Sequence, residues 1–346
     1  MTEGRRVVVS AFGAQPMEAP MSLEPMAQPV ASVGEVVVAV KSAAVGWVDV
    51  LMTSGQYQHV PEPPYTPGLE YAGEVISGEG FAVGERVLVD PFLAGPRSHG
   101  AYRTSGGFAS YAVVPIEAVL RIPGALSMDQ ACNLLGNYET AYHCLVARGR
   151  LRAGETVLVH GASGATGLAA VHLAKLLGAT VIATGRTAEK LAVVQREGAD
   201  HVVQIGDMRE RVKAITGGRG VDVVYDGVGG DISVESLRCV RFGARFLIVG
   251  WASTPLVARG GRPANQLPTN LILMKGLDVL GCPAVISTVH DPSLRAPRLA
   301  QILAWASEGK LHPHVSRTYP LAEFREAMRA KWQGEIVGGC VLRPDA

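Results

Sequence analysis

A glycine-rich turn between an apolar run and a helical pattern is the passage of this sequence best suited to chemistry. Val157-Leu158-Val159-His160 is typical of a buried strand, and Leu168-Ala169-Ala170-Val171 is typical of an apolar helix. Small residues between them let backbone N–H groups approach a pyrophosphate, and the helix N-terminus adds partial positive charge. This context favours a dinucleotide-binding turn over a flexible glycine loop. The predicted cofactor contacts are Gly161, Ser163, Gly164, Ala165, Thr166 and Gly167.

The residues after the second strand of this region distinguish between the two nicotinamide dinucleotides. Folds that prefer NAD place a carboxylate there to accept hydrogen bonds from the adenosine ribose. This chain has Thr184 and Gly185 at that point, followed by Arg186 and Lys190. A 2′-phosphate therefore meets no repulsion, and two cations are available to pair with it. The pattern predicts NADPH as the cofactor, with Thr184 also near it; a solvated helix start, with Glu189 pairing locally, is the alternative.

The composition is that of a globular protein with two domains. The chain has 346 residues, of which 48% are hydrophobic and 18% charged, with a formal net charge of +1. At roughly 150 residues per domain, this length predicts two separate cores. Near-neutral charge argues against nucleic-acid and membrane-surface partners. Five scattered cysteines without a Cys-x-x-Cys pair favour reduced thiols, a cytoplasmic location and no structural zinc.

Two kinds of pattern divide the chain. Up to about residue 125, short β-branched runs separated by prolines and glycines predict a partly open barrel. From about Asp129, apolar strands alternate with helices, which predicts a parallel sheet covered on both faces. After about Ala284, two helices and an apolar strand at Ile336–Leu342 are expected to return to the first domain. The strands predicted for the parallel sheet are Thr156–His160, Thr180–Thr184, His201–Gln204, Asp222–Asp226, Arg245–Val249 and Leu277–Gly281.

Several blocks, taken in their shared order, resemble the medium-chain dehydrogenase/reductase superfamily, specifically its zinc-free quinone oxidoreductase and zeta-crystallin-like branch. Pro67–Val75 is similar to the Pro-Gly-x-Glu-x-Ala-Gly-x-Val block, and Gly107–Tyr111 to the strand with Gly-Gly-Phe-Ala-Glu-Tyr. Asn137–His143 resembles the segment that leads into the cofactor domain. Asp222–Gly230 and Phe246–Gly250 resemble the fourth and fifth strands of the nucleotide fold.

The resemblance implies an α/β protein with two domains of different architecture. One is a GroES-like, partly open β-barrel catalytic domain, expected over residues 1–128 and 284–346. The other is a Rossmann domain, a doubly wound parallel sheet that binds NADPH, expected over residues 129–283. The resemblance also implies a homodimer joined at the sixth strand of that sheet, Leu277–Cys282, because an apolar edge strand is usually paired or covered.

The same resemblance argues against a catalytic zinc ion. In the zinc alcohol dehydrogenases a cysteine falls where this chain has Gly46, and a histidine where it has Leu69. Neither residue can ligate zinc, which needs thiolate, imidazole or carboxylate ligands. The four-cysteine structural lobe expected near residues 90 to 105 is missing as well. Hydrogen-bond donors alone are therefore expected to polarise the substrate carbonyl.

The resemblance places Trp47, Asp49 and Tyr57 on the first-domain wall of an active site expected between the domains. Trp47 would shape a slot for a planar substrate or be an ordinary core aromatic, and the Tyr57 hydroxyl can donate to a substrate oxygen. Asp49 is expected to be held by backbone N–H groups, with proton transfer as the alternative. In the family, the residue matching Lys190 contacts the 2′-phosphate. The further cofactor contacts that the resemblance implies are Thr140, Val228, Gly229, Gly250 and Trp251.

The function predicted from these residues is hydride transfer from NADPH to a small electrophile, a quinone or an α,β-unsaturated carbonyl. Two alternatives stay open. Arg97 and Arg103 in one loop, with Arg259 and Arg262 in another, would hold the phosphates of a coenzyme A thioester or would be solvated charges. Gly46 stands where many members carry asparagine, which keeps open a nucleotide-binding protein with little turnover.

Overall fold

The computed structural model describes residues 4–124, 126–256 and 265–344, and the chain forms two compact units. Unit 1 consists of residues 1–136 and 306–346, and unit 2 of residues 137–305. These boundaries differ from the division at 128/129 and 283/284 expected from the sequence. The chain returns to unit 1 at residue 306 and not at residue 284, because Arg295 and Arg298 form ion pairs with Glu139 inside unit 2.

Unit 1 is built on a largely antiparallel sheet. Its strands are β1 (Gly4–Val9), β2 (Met21–Met26), β3 (Glu35–Ala44), β4 (Glu70–Gly78), β5 (Arg86–Val89), β6 (Tyr111–Pro115), β7 (Val119–Arg121), β14 (Val315–Pro320) and β15 (Gly339–Arg343). Over the described ranges, seven strands pair in the order β14-β15-β3-β4-β5-β7 with β6 also on β3, and β1 pairs with β2 separately. Because β15 pairs with β3, the expected return of the C-terminal strand to the first domain is confirmed.

The helices of unit 1 are short and pack against this sheet. They are α1 (Trp47–Met52), α2 (Met128–Ala131) and α11 (Phe324–Trp332), with 3₁₀ turns at Ala101–Thr104, Ile116–Ala118 and Leu321–Glu323. The apolar side chains of β3 alternate into a core that Phe108, Phe324 and Met328 also enter. Burying such a cluster is the main stabilising contribution to a unit of this size. The unit thus holds α1, the element that carries Trp47 and Asp49, on a packed base.

Unit 2 is a parallel sheet with helices in its connections. Its strands are β8 (Thr156–Val159), β9 (Thr180–Gly185), β10 (His201–Gln204), β11 (Val221–Asp226), β12 (Val240–Ile248) and β13 (Asp278–Gly281). The helices are α4 (Ala165–Leu176), α5 (Ala188–Arg196), α6 (Met208–Ile215), α7 (Asp231–Ser236), α8 (Thr269–Lys275) and α9 (Ala284–His290). Helices α3 (Leu135–Tyr142) and α10 (Arg295–Ser307) span the two boundaries between the units, and a π-helical turn covers His143–Arg148.

The strand order of this sheet is β10-β9-β8-β11-β12-β13 within the described part of the chain. All five neighbouring pairs are parallel. Strands β8 and β11 are buried along their whole length, as expected for central strands covered on both faces. The predicted six-stranded doubly wound sheet is therefore confirmed, and β13 lies at its edge.

Within residues 4–124, 126–256 and 265–344, no helix combines the length and the apolar character that crossing a membrane requires.

Candidate functional site

The glycine-rich turn links β8 to α4 as the sequence predicts. Gly161 has a φ of +62°, a conformation that favours glycine, and its carbonyl accepts the Gly164 N–H at 2.9 Å. Gly164 is the N-cap of α4, and among the described residues no side chain caps the first turn of this helix. Since the first N–H groups of a helix lack intrahelical acceptors, this turn can donate them to a phosphate. Ser163, Ala165 and Thr166 are half-buried in the same turn.

Gly167 shows why the turn needs a glycine on its inner side. A Cβ atom at this position would lie 2.3 Å from the Gly161 carbonyl oxygen and 2.8 Å from Ala162 Cα. Both distances are far below van der Waals contact, so any side chain would push the turn away from the helix. Thr166 Oγ1 donates to Asn137 Oδ1 at 3.0 Å, which ties the turn to α3. The backbone of the predicted phosphate contacts is therefore closely fixed.

Thr184, at the end of β9, belongs to a buried polar network that the sequence did not reveal. His160 Nδ1 lies 2.8 Å from Thr184 Oγ1, and His160 Nε2 lies 2.6 Å from Ser236 Oγ. Burial lowers the pKa of His160 to about 4, so the ring is neutral at neutral pH and bridges the two hydroxyl groups. The hydroxyl of Thr184 is thus already engaged, and its contact with the cofactor stays a prediction.

Arg186 and Lys190 lie at the connection from β9 to α5. The side chain of Arg186 is exposed, while its carbonyl oxygen accepts Gln204 Nε2 at 2.8 Å from the neighbouring strand β10. Lys190 is half-buried in the first turn of α5. The backbone that carries Arg186 is therefore fixed while its guanidinium extends into solvent, where it can pair with a ligand phosphate.

Asp226, at the end of β11, organises the two other turns predicted to contact the cofactor. Its Oδ1 accepts the N–H groups of Val228 at 2.9 Å and Gly229 at 3.0 Å. Its backbone carbonyl accepts the Gly250 N–H at 3.2 Å. Gly229 has a φ of +77°, which few other residues adopt readily. Trp251, next to Gly250, is 43% exposed, so its indole is accessible to a ligand.

Thr140 is carried by α3, whose position depends on a buried ion-pair network. Glu139 accepts Arg295 through two hydrogen bonds, of 2.9 and 3.0 Å, and Arg298 Nε at 3.0 Å. Arg298 also donates to Thr288 Oγ1 at 2.8 Å. The network therefore joins α3 to α9 and α10, and it fixes the helix on which Thr140 is predicted to contact the cofactor.

In unit 1, Asp49 is held by backbone N–H groups, and this prediction is confirmed. Its Oδ2 accepts the Gly46 N–H at 2.8 Å, and its Oδ1 accepts those of Gly68 at 3.1 Å and Leu69 at 3.0 Å. The side chain is buried, and burial raises its pKa to about 6. The three hydrogen bonds and the charge of Arg97 act in the opposite direction, so the carboxylate stays largely ionised at neutral pH.

Trp47 and Tyr57 contact different aromatic rings of unit 1. Trp47 is half-buried at the start of α1, and its ring stacks on Trp332 with centroids 4.6 Å apart and planes 20° apart. Tyr57 is half-buried and meets His59 edge to face at 6.2 Å between ring centroids. One face of the Trp47 ring is therefore covered by Trp332, and the substrate contacts of Trp47 and Tyr57 stay predictions.

The two described arginines of the alternative phosphate clamp are not ordinary solvated charges. Arg97 is only 8% exposed, and its guanidinium lies 5.7 Å from the centroid of the Phe92 ring. Arg103 is half-buried and donates through Nη2 to the Val60 carbonyl oxygen at 3.0 Å. The other two arginines of that interpretation, Arg259 and Arg262, lie outside the described residues.

Comparisons with known proteins identify the family of this chain. Residues 32–124 match the family described as the alcohol dehydrogenase GroES-like domain, and residues 165–291 match the family described as zinc-binding dehydrogenase. The quinone oxidoreductase-like protein 2 homolog of Nematostella vectensis is 35% identical over 89% of this chain and 81% of its own length.

Solved structures give the same result across the whole chain. A probable oxidoreductase from Mycobacterium abscessus is 31% identical with a TM-score of 0.81, covering 99% of this chain and all of that one. The quinone oxidoreductase from Thermus thermophilus, whose complex with NADPH is also solved, is 28% identical with a TM-score of 0.79, covering 98% of this chain and 99% of that one. This chain belongs to the medium-chain dehydrogenase/reductase superfamily, in its quinone oxidoreductase branch, and is an oxidoreductase built on a nicotinamide-binding fold.

Proposed function

We propose that this chain transfers hydride from NADPH to a quinone or an α,β-unsaturated carbonyl without a metal ion. The observation that carries the metal-free part is the surroundings of Asp49. A Cβ atom at Gly46 would lie 2.9 Å from Asp49 Oδ2, so a cysteine ligand there would displace this carboxylate. Leu69, at the position of the second ligand, is a buried core residue. The donor set that zinc requires is therefore replaced by a carboxylate that already accepts three N–H groups.

The residues of unit 2 fit a phosphorylated dinucleotide. The N–H groups of the turn from Ser163 to Gly167 would hold the pyrophosphate, and Arg186 with Lys190 would pair with the 2′-phosphate. The carboxylate nearest in sequence to the end of β9 is Glu189, which is exposed and follows Arg186 by three residues. The end of β9 itself therefore carries no negative charge. When bound, NADPH supplies the hydride for the reaction.

The chain itself would bind the electrophile and stabilise the charge that develops on its oxygen. In unit 1, we assign the Tyr57 hydroxyl as the hydrogen-bond donor to this oxygen. A preorganised donor in an active site stabilises a developing charge more than water does. The half-buried aromatic ring of Trp47, stacked on Trp332, suits a planar conjugated substrate. An oxygen anion stabilised in this way needs no Lewis acid.

The alternative thioester function is less well supported. A coenzyme A phosphate clamp needs exposed cations, whereas Arg97 is buried against Phe92 and Arg103 is bonded to the Val60 carbonyl. The alternative of a nucleotide-binding protein with little turnover predicts tight NADPH binding without any reduced product.

The reaction is tested by anaerobic product analysis. 1,4-Naphthoquinone and an enone are each supplied with NADPH, and a simple alcohol is supplied with NADP. We expect reduction of the quinone or the enone, unchanged by EDTA, and zinc well below one equivalent by elemental analysis. A preparation that oxidises the alcohol well and contains stoichiometric zinc would contradict the proposal. Tight NADPH binding without product from the whole panel would instead favour the low-turnover alternative.

We also propose that two copies of the chain associate through the edge strand β13. Beside this edge, Phe242, Leu273 and Met274 are between 73% and 81% exposed. Such exposure is unusual for three large apolar side chains of the same unit.

Leu273→Asp is expected to convert a dimer into a monomer at about 10 μM, because a charge cannot be buried unpaired at an interface. Light scattering gives the mass. Val33→Asp, at a site that is 94% exposed in unit 1, is the control and should leave the mass unchanged. A monomeric wild-type chain at this concentration would refute the interface.

A further inference from the structure

A separate group of polar side chains lies within unit 1, where residues 56–60 meet residues 91–106. Arg103 Nη2 donates to the Val60 carbonyl oxygen at 3.0 Å, which joins the two segments. The rings of His59 and His99 meet edge to face with centroids 5.7 Å apart. The Tyr57 ring also meets the His59 ring edge to face, with centroids 6.2 Å apart. We name this group the Arg97 cluster, and it consists of Tyr57, His59, Arg97, His99 and Arg103.

Two guanidinium cations, those of Arg97 and Arg103, belong to the cluster. Burial lowers the pKa of His59, and the neighbouring His99 ring and the Arg97 guanidinium act in the same direction. His59 is therefore neutral at neutral pH and carries one N–H. The carboxylate that faces Arg97, Asp49, is already stabilised by three backbone N–H groups. The cluster thus places two guanidinium cations near a neutral hydrogen-bonding ring.

His59 Nε2 and Arg103 Nε are buried polar atoms of the cluster that have no hydrogen-bond partner among the described residues. A buried polar atom left in this state is energetically unfavourable, and folded proteins rarely leave one without a reason. The Arg103 atom is a donor, and His59 Nε2 is one in the tautomer that places its hydrogen there. An oxygen anion that accepts from both would satisfy both atoms.

We propose that the Arg97 cluster binds the carboxylate group of the electrophilic substrate. A carboxylate is planar, carries one negative charge and accepts two or more hydrogen bonds, which matches a histidine N–H and an arginine N–H beside a second guanidinium group, that of Arg97. A pyrophosphate is too large and too highly charged for cations as buried as Arg97. Tyr57 belongs both to the cluster and to the proposed active site. The inference therefore rests on the proposed function where it states that the bound acid is a substrate.

The first test needs no variant. Reduction of 4-carboxycinnamaldehyde by NADPH is compared with reduction of its methyl ester, because the two enals differ only in the charge of the distal group. The binding of benzoate to the full chain is measured separately by ligand-observed NMR, which requires no turnover. We expect KM for the acid to lie at least about fivefold below that for the ester, and benzoate to bind and to compete with the acid.

Variants then locate the site. Arg103→Gln and His59→Gln should each raise the ratio of KM for the acid to KM for the ester by about 10-fold and weaken benzoate binding, since each removes a donor to a charged group. Arg5→Gln, an exposed arginine of the same unit, is the matched control and should change neither value. Thermal melting shows whether each variant is folded.

The outcomes separate this inference from the proposed function. Benzoate binding that depends on Arg103, with neither enal reduced, would keep the carboxylate site and remove the reaction. Equal KM values for acid and ester in the wild-type chain, together with no benzoate binding, would overturn the site while leaving the reaction intact.

Discussion

Replacing Arg186 by alanine is expected to raise KM for NADPH by about 10- to 100-fold and to change KM for NADH by less than about twofold. The guanidinium is exposed beside the end of β9, on a backbone fixed by Gln204, where it can pair with a 2′-phosphate. Losing a hydrogen-bonded ion pair with a phosphate costs about 1.5–3 kcal/mol, which corresponds to this range. NADH lacks that phosphate, so it loses nothing. Initial rates with each coenzyme, at a saturating concentration of one electrophile, give the two KM values.

Arg196→Ala is the matched control for this measurement. Arg196 is an exposed arginine in the last turn of α5, the helix that follows Arg186, so its removal changes the net charge of the unit by the same amount. We expect both KM values to stay unchanged in this variant. Equal increases for NADPH and NADH after Arg186→Ala would show that the residue acts on the turn as a whole, and the NADPH preference would lose its support.

The parallel sheet of unit 2 could be predicted because its signals are local. The apolar strand ending at Val159, the glycines of the turn and the following helix are contiguous in sequence, and the structure forms them at those positions. The backbone cradle of Asp49 was also predictable, since it depends on the glycine turn at Gly68 and on the N-terminus of α1. Both features depend on short contiguous segments in which glycines allow backbone conformations that other residues rarely adopt.

The remaining features depend on side chains that are distant in sequence. Glu139 pairs with Arg295 and Arg298 across more than 150 residues, and no local pattern shows which acid meets which base. The stack of Trp47 on Trp332 is of the same kind. The burial of Arg97 could not be foreseen either, because loop arginines are usually solvated. Such contacts are set by the tertiary fold and carry no signal in periodicity.

Glu139→Gln is expected to lower the free energy of unfolding by about 3–5 kcal/mol, a large effect for one substitution. The side chains of Glu139 and Arg298 are both only 4% exposed, so the change leaves a buried guanidinium without its counter-charge. Arg295, at 11% exposure, loses the same partner. Chemical denaturation followed by circular dichroism measures the loss, and hydrogen exchange should show it first in α3 and α10, the helices that the network joins.

An exposed ion pair on the same chain gives the comparison that isolates burial as the cause. Glu326 pairs with Arg329, and their side chains are 48% and 44% exposed, so Glu326→Gln should cost less than about 1 kcal/mol. Replacing Glu139 by leucine and both of its arginine partners by methionine should recover most of the stability, since an apolar group of similar volume avoids the desolvation of charge. Equal losses for Glu139→Gln and Glu326→Gln would show that the network around Glu139 is solvated. In that case it would not be what fixes α3, and the position of Thr140 would need another cause.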